Sequence, residues 1–147
     1  MTRPLDPATR RAIFEALLAM AWADARLERE EILAIQAAGR VLALPDDVLD
    51  ALDAGPPPVA RIAAAGIDAR SRELVYLCAA WLASVDGRED VSEAGLLSEL
   101  RGALGIAPAR AQALHDDARV LHATVPASMP WWQELERLID SANGQLR

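Results

Sequence analysis

At 147 residues, with 52% apolar side chains and only 4% aromatic, the chain can bury a core without disulfides, and its Ala/Leu bias favours helices over sheet. A net charge of −7 argues against the clustered positive surface that generic nucleic-acid or anionic-membrane binding requires. The chain has no lysine, and its single cysteine, Cys78, leaves no intrachain disulfide framework and no thiolate zinc site.

Asp6-Pro7 reads as a helix start, with Asp as N-cap and Pro in the first helical position. Ile13, Phe14, Leu17, Leu18 and Ala21 then form one apolar stripe, which stops around Trp22 to Asp24. A second helix carries Ile32, Leu33, Ile35, Val41 and Leu42, and ends near Leu44-Pro45. Asp46-Asp47 caps a short third helix with Val48, Leu49 and Leu52. Gly55-Pro56-Pro57-Pro58 is a firm break, read as a joint between repeats. Val59 to Ala65 forms another short helix, closed by Gly66.

Asp68 opens a second unit. Leu74, Val75, Leu77, Cys78, Trp81 and Leu82 make an almost wholly apolar helix, expected to be the most buried element, with Cys78 a small hydrophobe inside it. A helix with Val91, Leu96, Leu97, Leu100 and Leu104 follows, capped by Gly105. Pro108 starts another, carrying Ala111, Leu114, Ala118, Leu121 and His122. Pro126 and Pro130 bracket a turn before a last amphipathic helix from Trp131 to Ile139, with a frayed tail from Ser141.

The chain repeats itself. Asp24 to Glu31 returns as Asp86 to Glu93, a shift of 62 residues that also pairs Asp6 with Asp68, Arg10 with Arg72, Phe14 with Tyr76 and Leu42 with Leu104, without a gap. The expected fold is therefore all-α: a single helical bundle of about seven or eight helices over residues 1–147. It is built from two pseudo-twofold-related helix–acidic turn–helix repeats, 6–55 and 68–117, followed by a C-terminal helix over 130–142.

The two acidic turns support two readings. Glu28 and Glu31, like Asp90 and Glu93, stand three apart, the spacing of a capping box, and carboxylates in a first helical turn complement the macrodipole. Asp24 and Asp86 fit that account less well, because each follows the C-terminal end of a helix, where negative charge is unfavourable. Converging carboxylates repel unless neutralised, and oxygen ligands suit calcium or magnesium; Arg26 and Arg88 offer a competing neutralisation. Asp24, Glu28, Glu31, Asp86, Asp90 and Glu93 are thus the candidate divalent-cation ligands. The turns are not EF-hands. Counting from Asp86, the third and twelfth positions are Arg88 and Leu97; counting from Asp24, they are Arg26 and Ile35.

An apolar helix ending in Ala/Val-Asp-Gly/Ala, a Glu seven residues after the Asp, and then an amphipathic helix resembles the TerB-like domain, a family named for bacterial tellurite-resistance operons. The resemblance covers roughly Ala8 to Ala123, with Asp24 and Glu31 matching the motif in one half and Asp86 and Glu93 in the other. It implies an all-helical pseudo-twofold bundle whose acidic residues serve as a divalent-metal or interaction site, in a non-enzymatic bacterial stress-response module. Ala25 replaces the usual Gly, and Glu89 stands where an apolar residue is expected.

Elsewhere, His115 and His122 share a helix face but lie two turns apart, too far for joint metal ligation, and are read as a solvated face. Trp131-Trp132 is the largest aromatic feature and the candidate protein-partner anchor, since Trp is enriched at binding hot spots. There is no nucleophile elbow, phosphate loop or Ser/His/Asp spacing, so no enzyme is expected. Two alternatives accompany the stress-module reading: a purely structural interaction scaffold using Trp131/Trp132, and a small metal-dependent hydrolase using paired carboxylates. A protein partner is expected and a homodimer is compatible with the composition. The N-terminus lacks a signal-peptide core and no run is long enough to span a bilayer, so a soluble, cytoplasmic protein is expected.

Overall fold

The computed structural model describes residues 6–22, 29–49, 57–63, 66–85, 91–124, 128–129 and 131–145. Among these the chain is all-helical, without a strand: α1 (Pro7–Ala21), α2 (Arg29–Val41), α3 (Asp46–Leu49), α4 (Val59–Ala63), α5 (Ala69–Val85), α6 (Val91–Leu104), α7 (Pro108–Thr124) and α8 (Trp131–Gln145).

Two helices form the centre because their middle turns are apolar on nearly every side, Glu15 on α1 being the exception. Every residue from Ala12 to Met20 on α1 is buried, as is every residue from Leu74 to Trp81 on α5. Such a helix has no solvent face and must be surrounded. α1 and α5 pack on each other, and α5 also packs extensively on α7. The largest wholly buried side chains include Trp81, Phe14, Ile13 and Leu17. Each is worth about 1.5–3 kcal/mol of apolar burial.

The peripheral helices follow a regular scheme. α4 packs on α1 and α6, while α8 packs on α5 and α2. α2 lies against α1 as α6 lies against α5. Local chemistry at the helix ends recurs at the same spacing. Asp6 Oδ1 accepts from the Thr9 amide at 2.7 Å, and Asp68 Oδ1 accepts from the Ser71 amide at 2.8 Å. These are N-caps that satisfy an otherwise orphaned donor.

At the other end, α2 and α6 both close with a Schellman arrangement. The Leu44 amide donates to Gly39 O at 3.0 Å and the Ala43 amide to Arg40 O at 3.0 Å. In α6 the Ile106 amide donates to Arg101 O at 3.1 Å and the Gly105 amide to Gly102 O at 3.2 Å. The left-handed residue is Ala43 (φ 57°) in the first case and Gly105 (φ 71°) in the second.

The units differ in how they are locked. Arg72 donates from Nε to Ile67 O and from a guanidinium nitrogen to Leu104 O, both at 3.3 Å, which ties the start of α5 to the end of α6. Arg10, its counterpart, has a buried Nε without an acceptor.

Two boundaries depart from the sequence reading. The last helix does not fray at Ser141 but continues to Gln145, through Asn143 and Gly144. Asp46 and Asp47 lie in the first turn of α3 rather than before it, where they still complement the helix dipole.

Candidate functional site

Asp24, Glu28, Asp86 and Asp90 lie outside the described residues, so the geometry of the two acidic turns is not part of this structure. The helices that flank them are described. Glu31 is the third residue of α2 and Glu93 the third residue of α6, so both carboxylates belong to first helical turns. Trp131 and Trp132 are the first two residues of α8; the placement of their side chains, like those of Glu31 and Glu93, is not described. Among the described residues no group of three or more His, Cys, Asp and Glu side chains is disposed to hold a metal ion.

What the structure does bring together is a polar cluster inside the second half. Glu134 on α8 is only 2% exposed. Its Oε2 accepts a hydrogen bond from the indole Nε1 of Trp81 on α5, a residue wholly buried, and lies 2.7 Å from Nδ1 of His122 on α7. An indole N–H can only donate, and a carboxylate accepts, so the proton of the His122 contact lies on Nδ1. The His122 side chain is about one third exposed, at 36%.

Three helices thus meet at one carboxylate oxygen. A carboxylate taken out of water costs several kcal/mol unless donors replace the lost hydration, and here an indole and an imidazole supply them. Around it, Leu135, Leu138 and Ile139 bury the apolar face of α8.

His122 was expected on a solvated helix face. It is instead the outer member of this cluster. Spacing on one helix cannot reveal a partner 12 residues further along on another. The signal that could have found it was Glu134 itself, which stands one residue before Leu135 on the face that carries Leu138 and Ile139.

A second buried carboxylate sits in the first half. Glu15 on α1, 7% exposed, has its Oε1 3.3 Å from Arg11 Nε and 3.3 Å from a guanidinium nitrogen of Arg61 on α4. A carboxylate contact thus joins α4 to α1, Arg61 to Glu15, and another joins α8 to α5, Glu134 to Trp81.

Cys78 is wholly buried in α5, and burial pushes the pKa of its thiol far up. That chemistry is inert, as expected of a packing cysteine. On the surface of α7, hydrogen bonds from Arg119 and then Gln112 hold the Asp116 carboxyl below its usual range, and Arg110 is held charged by its bond to Glu73 at 2.8 Å. None of the described helices is long and apolar enough to cross a membrane. Comparison with protein-family models, with curated proteins and with solved structures finds no match.

Proposed function

We propose that this chain is a duplicated helical interaction module of the TerB-like kind, acting without catalysis in the bacterial cytoplasm on a protein partner, and that its two acidic turns bind a divalent cation, calcium or magnesium. The supporting observation is the matching chemistry at the outer ends of the two helix pairs that flank the turns. α1 and α5 start from matching Asp caps, α2 and α6 end in matching Schellman turns, and all of these lie 62 residues apart. The crossed packing of α4 on α6 and of α8 on α2 fits a pseudo-twofold relation between the halves.

On this reading Asp24, Glu28 and Glu31 in one turn, and Asp86, Asp90 and Glu93 in the other, occupy related positions at the entrance to α2 and α6. Oxygen-only ligands would select a hard cation. The N-terminal ends of the two helices already favour negative charge, so Glu31 and Glu93 serve the helix even before any cation arrives.

Calorimetric titration of chelator-treated protein with calcium, magnesium, manganese and zinc tests the proposal. Saturable heat with calcium or magnesium, lost in Asp24→Asn/Asp86→Asn, is the expected result. Absence of heat with all four cations, together with an unchanged melting temperature, would leave the carboxylates as helix caps and remove the cation from the function.

A further inference from the structure

We propose that His122 is a phosphoryl-acceptor site: its Nε2 takes the phosphoryl group of an activated donor, a phosphoramidate or an acyl phosphate, while Glu134 fixes the ring from the other side. The proposal rests on α5, α7 and α8 alone, independently of the acidic turns and of any cation bound there.

The two ring nitrogens face different surroundings. Nδ1 lies 2.7 Å from Oε2 of Glu134, a residue only 2% exposed. Nε2 has no hydrogen-bond partner among the described residues, and it is not one of the buried polar atoms left unsatisfied there. It therefore opens to water, in a side chain 36% exposed. In a neutral imidazole one nitrogen donates and the other accepts. With the proton of the contact on Nδ1, neutral His122 has its lone pair on the accessible nitrogen.

Glu134 is itself held, because the same oxygen accepts from the wholly buried indole of Trp81. A carboxylate fixed in this way keeps the imidazole in one tautomer and one orientation, and it stabilises the positive charge that the ring acquires on reaction. In the step proposed, the Nε2 lone pair attacks phosphorus. The Nε2–P bond forms as the bond from phosphorus to the leaving group breaks, and that electron pair departs with the amine or the carboxylate. The Nδ1 proton stays in the contact with Glu134, so the product is an imidazolium beside a carboxylate.

The position on α7 suits this product. His122 lies in the last turn of the helix, where the dipole favours a positive ring. The same end disfavours the phosphoryl oxygens, and Arg119 offsets that. It stands one turn earlier, 59% exposed in its side chain, and holds Asp116, a partner that a phosphoryl dianion can displace.

Incubation of the wild-type protein with phosphoramidate, followed by phosphorus NMR and mass spectrometry of its peptides, tests the site. His115, two turns away on α7, is the internal reference. One acid-labile phosphoryl group on Nε2 of His122 is expected, formed at least about 10-fold faster than any on His115 in the folded protein. In urea-unfolded protein the two histidines should react alike. Glu134→Gln keeps an acceptor for Trp81 but removes the carboxylate from the imidazole. In that variant, labelling of His122 should slow at least about 10-fold, and nitrogen NMR should show the ring proton moving from Nδ1 towards Nε2. No label on His122, or equal rates for the two histidines in folded wild-type protein, would overturn the site whatever the stability of the variant. Unchanged labelling in folded Glu134→Gln would overturn the part assigned to Glu134.

Discussion

Ala43 and Gly105 hold the same left-handed position at the ends of α2 and α6, with φ of 57° and 71°, and each donates its amide to the carbonyl three residues back. Glycine occupies this conformation without strain, whereas an L residue brings its Cβ against the following carbonyl. The first unit therefore carries a cost the second avoids. Ala43→Gly should raise stability by about 0.5–1 kcal/mol, and Gly105→Ala should lower it by about the same amount. Urea unfolding midpoints of the two variants check both signs. Beyond Gly105 and its two chain neighbours, no atom stands within 4 Å of the position a Cβ there would take, so the loss reports backbone strain alone.

Glu15 faces two arginines, Arg11 and Arg61, and each is 59% exposed in its side chain. Either one can neutralise the buried carboxylate, and exposed ion pairs taken singly contribute about 0–1 kcal/mol. Arg11→Ala and Arg61→Ala should each cost less than about 1 kcal/mol. The double variant should cost more than about 2 kcal/mol, because it leaves Glu15 buried without a cation. A double-mutant cycle measured by denaturant unfolding would show this as strong non-additivity; additive losses would mean that water already serves the carboxylate.

The central helices were legible in the sequence because their evidence is local and redundant. Asp6 and Asp68 announce the starts of α1 and α5, Gly105 announces the end of α6, and uninterrupted apolar runs such as Leu74 to Trp81 predict full burial. The repeat spacing could be read for the same reason, since caps and turns depend on a few neighbouring residues. The Trp81–Glu134–His122 cluster could not, because it joins residues 53 and 12 positions apart through the packing of three helices. A Glu among leucines reads as a solvent-face residue unless the depth of its helix face is known. The apolar periodicity that marks α8 ends at Ile139, so its continuation through Gly144 to Gln145 leaves no such signal in the sequence.

Cys78 provides a pH signature of the core. Burial raises the pKa of its thiol above that of the unfolded chain, so the folded state disfavours the thiolate. The associated stability is fully present below the unfolded thiol's pKa of about 8.5 and is lost as pH rises above it. Between pH 8.5 and 10.5 the wild type should lose stability relative to Cys78→Ala with a slope approaching about 1.4 kcal/mol per pH unit. Unfolding free energies measured at several pH values in that window check the slope. Parallel curves for the two proteins would show that the thiol ionises in the folded state.

Trp81 and Glu134 should be energetically coupled well beyond their apolar packing. Trp81→Phe keeps an aromatic ring in the core but removes the N–H, so Glu134 retains only His122 of its two donors. Hydrogen bonds to charged groups contribute about 1.5–3 kcal/mol, and Trp81→Phe should lose an amount in that range together with a smaller packing term. Glu134→Gln keeps an acceptor for the indole and weakens the bond without abolishing it. The double variant should therefore be less destabilised than the sum of the two single changes, with a coupling energy of about 1 kcal/mol or more. Additivity within about 0.3 kcal/mol would mean that the indole and the carboxylate contribute independently. The contact would then align α8 on α5 without holding it there.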